Sequence, residues 1–296
     1  MGIYNRRIGF FHFLHPIVSM VYYVGLFAFL FLFTNPFFMV IVYAGAVSLA
    51  FFYCGAQRLL SALRFLLPLG AVVMALNPIL VRRGSTIMFY LLDNPVTLEA
   101  VYYGAYNALL LTGTILVFMS FNSVVTSERF LYVFAKALPR TAFVADMSLR
   151  FIPHFKNRAS ELMHVQQTKG IAIEKGNIRR SLKNGGTLLN ALLMWNLEEG
   201  LETGLALRAK DYGGRRRTSY DPYVFAKRDA AWLCFILASG FGCAASHLTG
   251  AGKHLAYPKL AAPEILPWGV FFMALLAVYV SVPFIMEAFY GINTVR

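Results

Sequence analysis

Charge is scarce in this chain, and negative charge scarcer still. Only 14% of its 296 residues are charged, against about a quarter in an ordinary soluble domain. With 58% hydrophobic residues and a mean hydropathy of +0.59, the chain needs lipid as its solvent. Lys and Arg number 27 and Asp and Glu 14, a formal charge of +13. That excess does not read as a nucleic-acid surface, because the basic residues flank apolar runs in a positive-inside pattern. Cysteine is also rare. Cys54, Cys234 and Cys243 all lie inside apolar runs, where they read as small buried side chains. No paired cysteine or histidine spacing suggests a metal site. No GxxxxGK[ST] stretch occurs, so no P-loop for ATP is expected. HExxH, GxSxG and a paired-aspartate prenyltransferase motif are also missing. Ionisable residues are nearly absent from the apolar runs, which argues against a self-sufficient channel or proton-coupled carrier. Arg6 and Arg7 precede an apolar run with no small-residue cleavage site after it, so this run reads as a first span rather than a removable signal peptide.

What is present is a set of apolar runs around a basic middle. A hydrocarbon core of ~30 Å needs about 20 apolar helical residues. Candidate spans are 16–33, 36–55, 65–81, 98–121, 229–248 and 267–287. Breaks between them carry Pro or Gly, as in Thr34-Asn35-Pro36, Asn77-Pro78, Asp93-Asn94-Pro95 and Pro263. Pro68 interrupts the third run, which is the weakest of the six. The fold class is therefore an all-α integral membrane protein with about six transmembrane helices and long cytoplasmic amphipathic helices. Its expected divisions are 1–121, 122–228 and 229–296. The middle segment holds 18 of the 27 basic and 9 of the 14 acidic residues, a net +9. Six crossings put Arg6, Arg7, Arg58, Arg64 and this segment in the cytoplasm, and Arg82 and Arg83 outside, against the rule. Five crossings, with three before the middle segment, would move Arg82 and Arg83 inside but turn the larger charge outward.

The middle segment reads as long helices. From Thr141 to Gly170 an apolar stripe runs Val144, Met147, Phe151, Phe155, Ala159, Leu162, in steps of three and four. A second stretch over about 178–211 carries Leu182, Gly186, Leu189, Leu193, Leu197, Gly200, Gly204 and Leu207. Gly200 and Gly204 have the small-xxx-small spacing that lets two helix backbones approach, so a helix crossing is expected there. Asn184-Gly185-Gly186 alternatively divides the stretch into two helices. Pro153, after Arg150, removes a helical hydrogen bond and either kinks the first helix or stands near an ordinary helix start. Asn77 and Asn107 lie in or near spans and suit interhelical hydrogen bonds.

The first long helix ends in Gln166-Gln167-Thr168-Lys169-Gly170, the second in Ala206-Leu207-Arg208-Ala209-Lys210-Asp211-Tyr212-Gly213. Each has a cation in its last turn and a glycine at or past its end. Capping accounts for either one alone: glycine takes the left-handed cap and lysine meets the negative end of the helix dipole. Two in tandem, beside a membrane, are a more specific pattern. Together with Leu149-Arg150-Phe151-Ile152-Pro153 and Arg217-Thr218 they resemble the T component of energy-coupling-factor (ECF) vitamin and metal importers, the cobalt-transport transmembrane family. The resemblance covers about 120–220, and the flanking spans match only as hydrophobic segments.

That resemblance implies a transmembrane energy-coupling scaffold of an ABC-type importer and no enzyme. Thr168-Lys169-Gly170 and Ala209-Lys210-Asp211 stand where the family has Ala-Arg-Gly. By the resemblance they dock on two ABC ATPase subunits, which bind ATP and Mg, so that this chain carries no cofactor. Both arginines are lysines here, which keep the charge and lose the bidentate fork. Asp211 adds a negative charge where the family has glycine. Arg150 and Pro153 would steer the first helix along the membrane surface. Phe151, Phe155, Leu189 and Leu193 would form an apolar platform for a small membrane substrate-binding S component. The expected setting is a bacterial or archaeal cell (inner) membrane, with the coupling module cytoplasmic and no nucleic-acid partner. Two other classes stay open: the permease of an ordinary ABC transporter, and a membrane-embedded enzyme using Glu198, Glu199 or His164. A non-transport membrane scaffold is a further alternative.

Overall fold

The computed structural model describes residues 11, 14–81, 86–91, 94–135, 137–168, 178–212, 223–250, 252 and 267–291. Its described helices are α1 (Pro16–Leu32), α2 (Pro36–Cys54), α3 (Ala56–Leu80), α4 (Leu98–Val124), α5 (Ser127–Ala135), α6 (Pro139–Thr168), α7 (Ile178–Ala209), α8 (Lys227–Leu248) and α9 (Pro267–Gly291). Between α3 and α4 a short antiparallel hairpin pairs β1 (Ile87–Leu91) with β2 (Asn94–Thr97). Among the described residues five helices (α2, α3, α4, α8 and α9) are long and apolar enough to cross a membrane; α1 is a shorter apolar helix of 17 residues. The chain is an all-α integral membrane protein, with that hairpin as its one described strand pair. It divides into two compact units, residues 1–130 with 223–296, and residues 131–222.

The sequence breaks become caps. Asn35 Oδ1 accepts from Phe37 N at 3.1 Å, and Pro36 starts α2 where its missing N–H costs nothing. His15 caps α1 the same way, accepting from Ile17 N at 3.3 Å. The third span departs from its expected bounds of 65–81. It begins at Ala56, because the chain turns only at Gly55, whose φ of +82° suits a residue without Cβ. Pro68 and Pro78 lie inside α3 without ending it; packed neighbours let membrane helices tolerate proline. One such neighbour contact is visible: Asn77 Nδ2 donates to Ala100 O of α4 at 2.8 Å, the interhelical bond its position suggested.

The core of the first unit lies where α1 packs on α4 and α8, and α2 packs on α4 and α9. Lipid supplies no hydrophobic drive between helices, so close packing and polar side chains hold them together. Tyr22 of α1 and Tyr279 of α9 stack with centroids 5.2 Å apart. Each also bonds the other's backbone: Tyr279 Oη donates to Tyr22 O at 2.8 Å, and Tyr22 Oη to Val280 O at 3.2 Å. Tyr23 shares a 2.7 Å hydrogen bond with Ser120 of α4. Small residues make the approach possible. A Cβ on Gly25 would collide with the Tyr279 hydroxyl, and one on Gly45 with Val280. Large apolar side chains on the outside, such as Phe65 and Leu67 of α3, are what lipid accepts.

The α3–α4 contact gives a test. A Cβ on Gly104 would fall 2.8 Å from the Met74 carbonyl oxygen, a backbone atom that cannot swing away. Gly104→Val should lower stability by about 1–3 kcal/mol through overpacking. Gly185→Ala in α7, where a Cβ meets open space, should instead raise it by up to ~1 kcal/mol. Thermal or denaturant unfolding in detergent checks both, and equal midpoints for the two variants would refute this account.

Candidate functional site

The second unit is built on α6 and α7, which pack antiparallel. The Arg158 guanidinium lies 5.3 Å over the Trp195 ring at mid-length, and Phe143 near the start of α6 stacks on Tyr212 beyond the end of α7, centroids 4.7 Å apart. Arg158 also pairs with Glu161 at 2.9 Å on its own helix. Ala142 of α6 and Leu188 and Leu192 of α7 are buried; Met147, Phe151, Ala159, Leu162 and Trp195 are half-buried. This pairing places the C-terminus of α6 and the C-terminus of α7 at opposite ends of the helix pair. With Phe143 opposite Tyr212, the 25 residues of α6 from there to Thr168 separate the two ends by roughly 37 Å at 1.5 Å per residue.

Those two ends carry the sequence motifs. Thr168 is the last residue of α6, exposed, its Oγ1 donating to Val165 O at 2.7 Å. Lys169 and Gly170 lie outside the described residues, as do the Gly213–Thr218 positions. At the other end Ala209, Lys210 and Asp211 are all exposed. Asp211 N bonds Arg208 O at 3.0 Å and Tyr212 N bonds Leu207 O at 3.0 Å, the paired bonds of a Schellman cap. The left-handed residue of that cap is Asp211, with φ +56°, and not the glycine two positions later. Aspartate thus stands where a side chain is disfavoured and where glycine fits without strain. Arg208 and Lys210 put positive charge at the carbonyl end of α7, where the helix dipole favours it.

The single helix expected over about 178–211 is found, unbroken from Ile178 to Ala209, and its alternative division at Asn184-Gly185-Gly186 is not. The stripe residues Leu182, Leu189, Leu193 and Leu197 lie exposed, off the face that meets α6. Leu182 is 70% exposed and Leu197 64%, while Leu188 and Leu192 take the buried face. The reason is that leucines come in pairs at 188/189 and 192/193. Neighbours in a helix differ by about 100°, so periodicity finds the apolar arc but not which half of it meets α6. The close crossing at Gly200 and Gly204 is likewise not made within the described residues, since a Cβ at either meets nothing within 4 Å. Arg150 is exposed and Pro153 lies inside an uninterrupted α6. Of the four residues expected to form an apolar platform, Phe151 is half-buried, and Phe155, Leu189 and Leu193 are exposed. Glu198, Glu202 and His164 are exposed, and the described residues hold no cluster of three metal-binding side chains.

Sequence reasoning missed three buried charges in the first unit. Glu99, in the first turn of α4, is fully enclosed and accepts from Thr86 N at 3.2 Å and from the Thr86 hydroxyl. Asp229 reaches back to Ala226 N at 3.1 Å at the start of α8. Arg129, in the first turn of α5, is 6% exposed and donates to Phe11 O at 2.9 Å. Each sits at a helix start beside an apolar run, which is the one sequence signal that marked them.

Residues 10–220 match the family model described as CbiQ, cobalt transport protein. The chain belongs to the CbiQ cobalt transport family. Curated relatives include the energy-coupling factor transporter transmembrane protein EcfT of Lacticaseibacillus paracasei, 30% identical over 89 residues, 30% of this chain and 34% of the relative. EcfT of Streptococcus thermophilus is 25% identical over 111 residues, 37% of this chain and 42% of the relative. A putative ABC transporter ATP-binding protein of Bifidobacterium longum is 22% identical over 193 residues, 61% of this chain and 24% of its own length. The matched stretches thus span about a third to two-fifths of the EcfT relatives. This CbiQ-family chain is a multi-pass membrane protein of a transport family.

The Asp211 cap can be tested directly. Asp211→Gly should stabilise the end of α7 by about 0.5–1 kcal/mol, and Asp211→Val should destabilise it by more than that. Hydrogen exchange of the Lys210–Tyr212 amides is the readout. Slower exchange in the valine variant than in the glycine variant would contradict the left-handed assignment.

Proposed function

We propose that this CbiQ-family chain is the membrane-embedded coupling component of an ECF-type ABC importer. The observation that carries the reading is the placement of its two motif-bearing helix ends. Thr168, with Lys169 and Gly170 next in sequence, stands at one end of the α6–α7 pair, and Ala209-Lys210-Asp211 at the other, about 37 Å apart. A pair of separated, positively charged helix ends suits two separate acidic grooves, one on each of two ABC ATPase subunits. ATP and Mg bind in those subunits. Closure of the ATPase pair shifts the seated ends, and α6 and α7 carry the shift as stiff rods. In this reading the 131–222 unit lies on the cytoplasmic face of the cell membrane.

The outward row Leu182, Leu189, Leu193, Leu197, Leu201 supports a second contact. Its members are exposed by half or more, and a soluble surface rarely leaves so continuous an apolar row uncovered. A small, hydrophobic S component that binds the micronutrient and reorients is the partner this row suits. Cargo selection then belongs to that subunit, and the coupling chain needs no substrate path of its own. Gly200 and Gly204, open on α7, let a partner helix come close.

Lysine at both docking points keeps the attraction without arginine's planar fork. Reversing charge in Lys169→Glu with Lys210→Glu should weaken ATPase association by more than about tenfold, equivalent to ~1.4 kcal/mol, while the protein still inserts in membranes. Arginine at both positions should hold association at least as well as lysine. Co-purification of ATPase chains from native membranes in mild detergent is the measurement. Unchanged recovery with the double glutamate variant would remove the docking role from these two lysines.

A further inference from the structure

The chain leaves the first unit after Phe130 and returns to it at Tyr223. Arg129 is therefore one residue inside the exit, and Tyr223 is the first residue of the return. These two meet: the Arg129 guanidinium carbon lies 5.8 Å from the centroid of the Tyr223 ring. Arg129 Nη1 also donates to Phe11 O at 2.9 Å. The Phe11 ring in turn packs on Tyr22, Tyr23 and Tyr53, with centroids 5.4, 6.3 and 6.0 Å away. The returning segment has a second hold, since the Phe225 ring meets His15 edge-on at 5.1 Å. Arginine is suited to this place because its fork donates in several directions while its flat face stacks on an aromatic ring. An arginine as enclosed as Arg129 is held where its donors and charge are used.

We infer that Arg129 is a positioning residue that clasps helix α5, by which the chain leaves for the 131–222 unit, and the returning segment at Tyr223 to each other and to Phe11. Force carried along either connection then enters the aromatic core of α1 and α2 beside Phe11. Without the clasp each connection bends alone, and the displacement is lost there. The inference rests on the energy-coupling function proposed above for its purpose, and on geometry alone for its existence.

The test uses the full chain with its ATPases in lipid nanodiscs. Spin labels go on Val224→Cys and Leu80→Cys, both exposed positions, with Cys54, Cys234 and Cys243 replaced by Ala. Pulsed electron resonance measures the distance between them. The unaltered clasp should give one narrow distribution that shifts on adding ATP with vanadate. Arg129→Ala should roughly double the width and abolish the shift while the ATPases still co-purify and hydrolyse ATP. Tyr223→Ala should act in the same direction and keeps the test available where Arg129→Ala does not insert. Arg129→Lys, which retains a cation and a donor for Phe11 O, should recover the shift. Unchanged width and shift in both alanine variants would overturn the clasp. Failure of the ATPases to join the unaltered chain would instead overturn the coupling function, and the nucleotide-free widths would still decide the clasp.

Discussion

The reciprocal bonding of Tyr22 and Tyr279 is the contact on which the membrane unit depends. It joins α1 to α9, two helices more than 250 residues apart in sequence. It draws the two ends of the membrane unit together, beside the packing of α1 on α8 and of α2 on α9. In lipid the closure cannot come from hiding apolar surface, since the hydrocarbon is as apolar as leucine. It comes from phenol groups that satisfy backbone carbonyls and from glycines that let the rings reach them. Gly25 and Gly45 are therefore as much a part of the bond as the tyrosines are.

The second unit obeys the opposite rule. Two long helices pack by one face each, and the buried set is small: Ala142, Leu188 and Leu192, with a half-buried row beside them. A helix of about 30 residues owes most of its stability to burying an amphipathic face. α7 has apolar side chains on both sides of the arc, and α6 covers only one. The uncovered leucines are unfavourable in water, and under the proposed function they are the surface that a partner would cover.

Most of the architecture was legible because its signals are local. Proline and asparagine marked the starts of α1 and α2, and the motif residues Thr168 and Ala209 fall on helix ends as their spacing suggested. Four features were not legible, each for a physical reason. Gly55 turns the chain with one backbone angle and no polar run, so α3 began earlier than its hydropathy indicated. The 188/189 and 192/193 leucine pairs give the same period whichever member is buried. Arg129 finds its partners 118 residues earlier and 94 residues later, at Phe11 and Tyr223, and no window along the sequence brings those together. Asp211 was visible as a departure from the family pattern, but its left-handed backbone was not, because glycine two residues later was the better candidate for that role.

The helix lengths have a consequence for the bilayer itself. α1, with 17 residues, rises only about 25 Å, less than a ~30 Å hydrocarbon core. It tolerates this because nearly half of it is buried among other helices, so little of it has to match the lipid. α3 is the reverse case, 25 residues long, or about 37 Å, and the least enclosed of the five long spans. Its first turns carry the exposed Arg58 and Arg64, whose charged heads reach toward water and headgroups, so the surplus length lies at the membrane border and the stretch after Arg64 faces the acyl chains. Membrane thickness thus acts on α3 along that stretch, beside the seam where Gly104 lies against Met74.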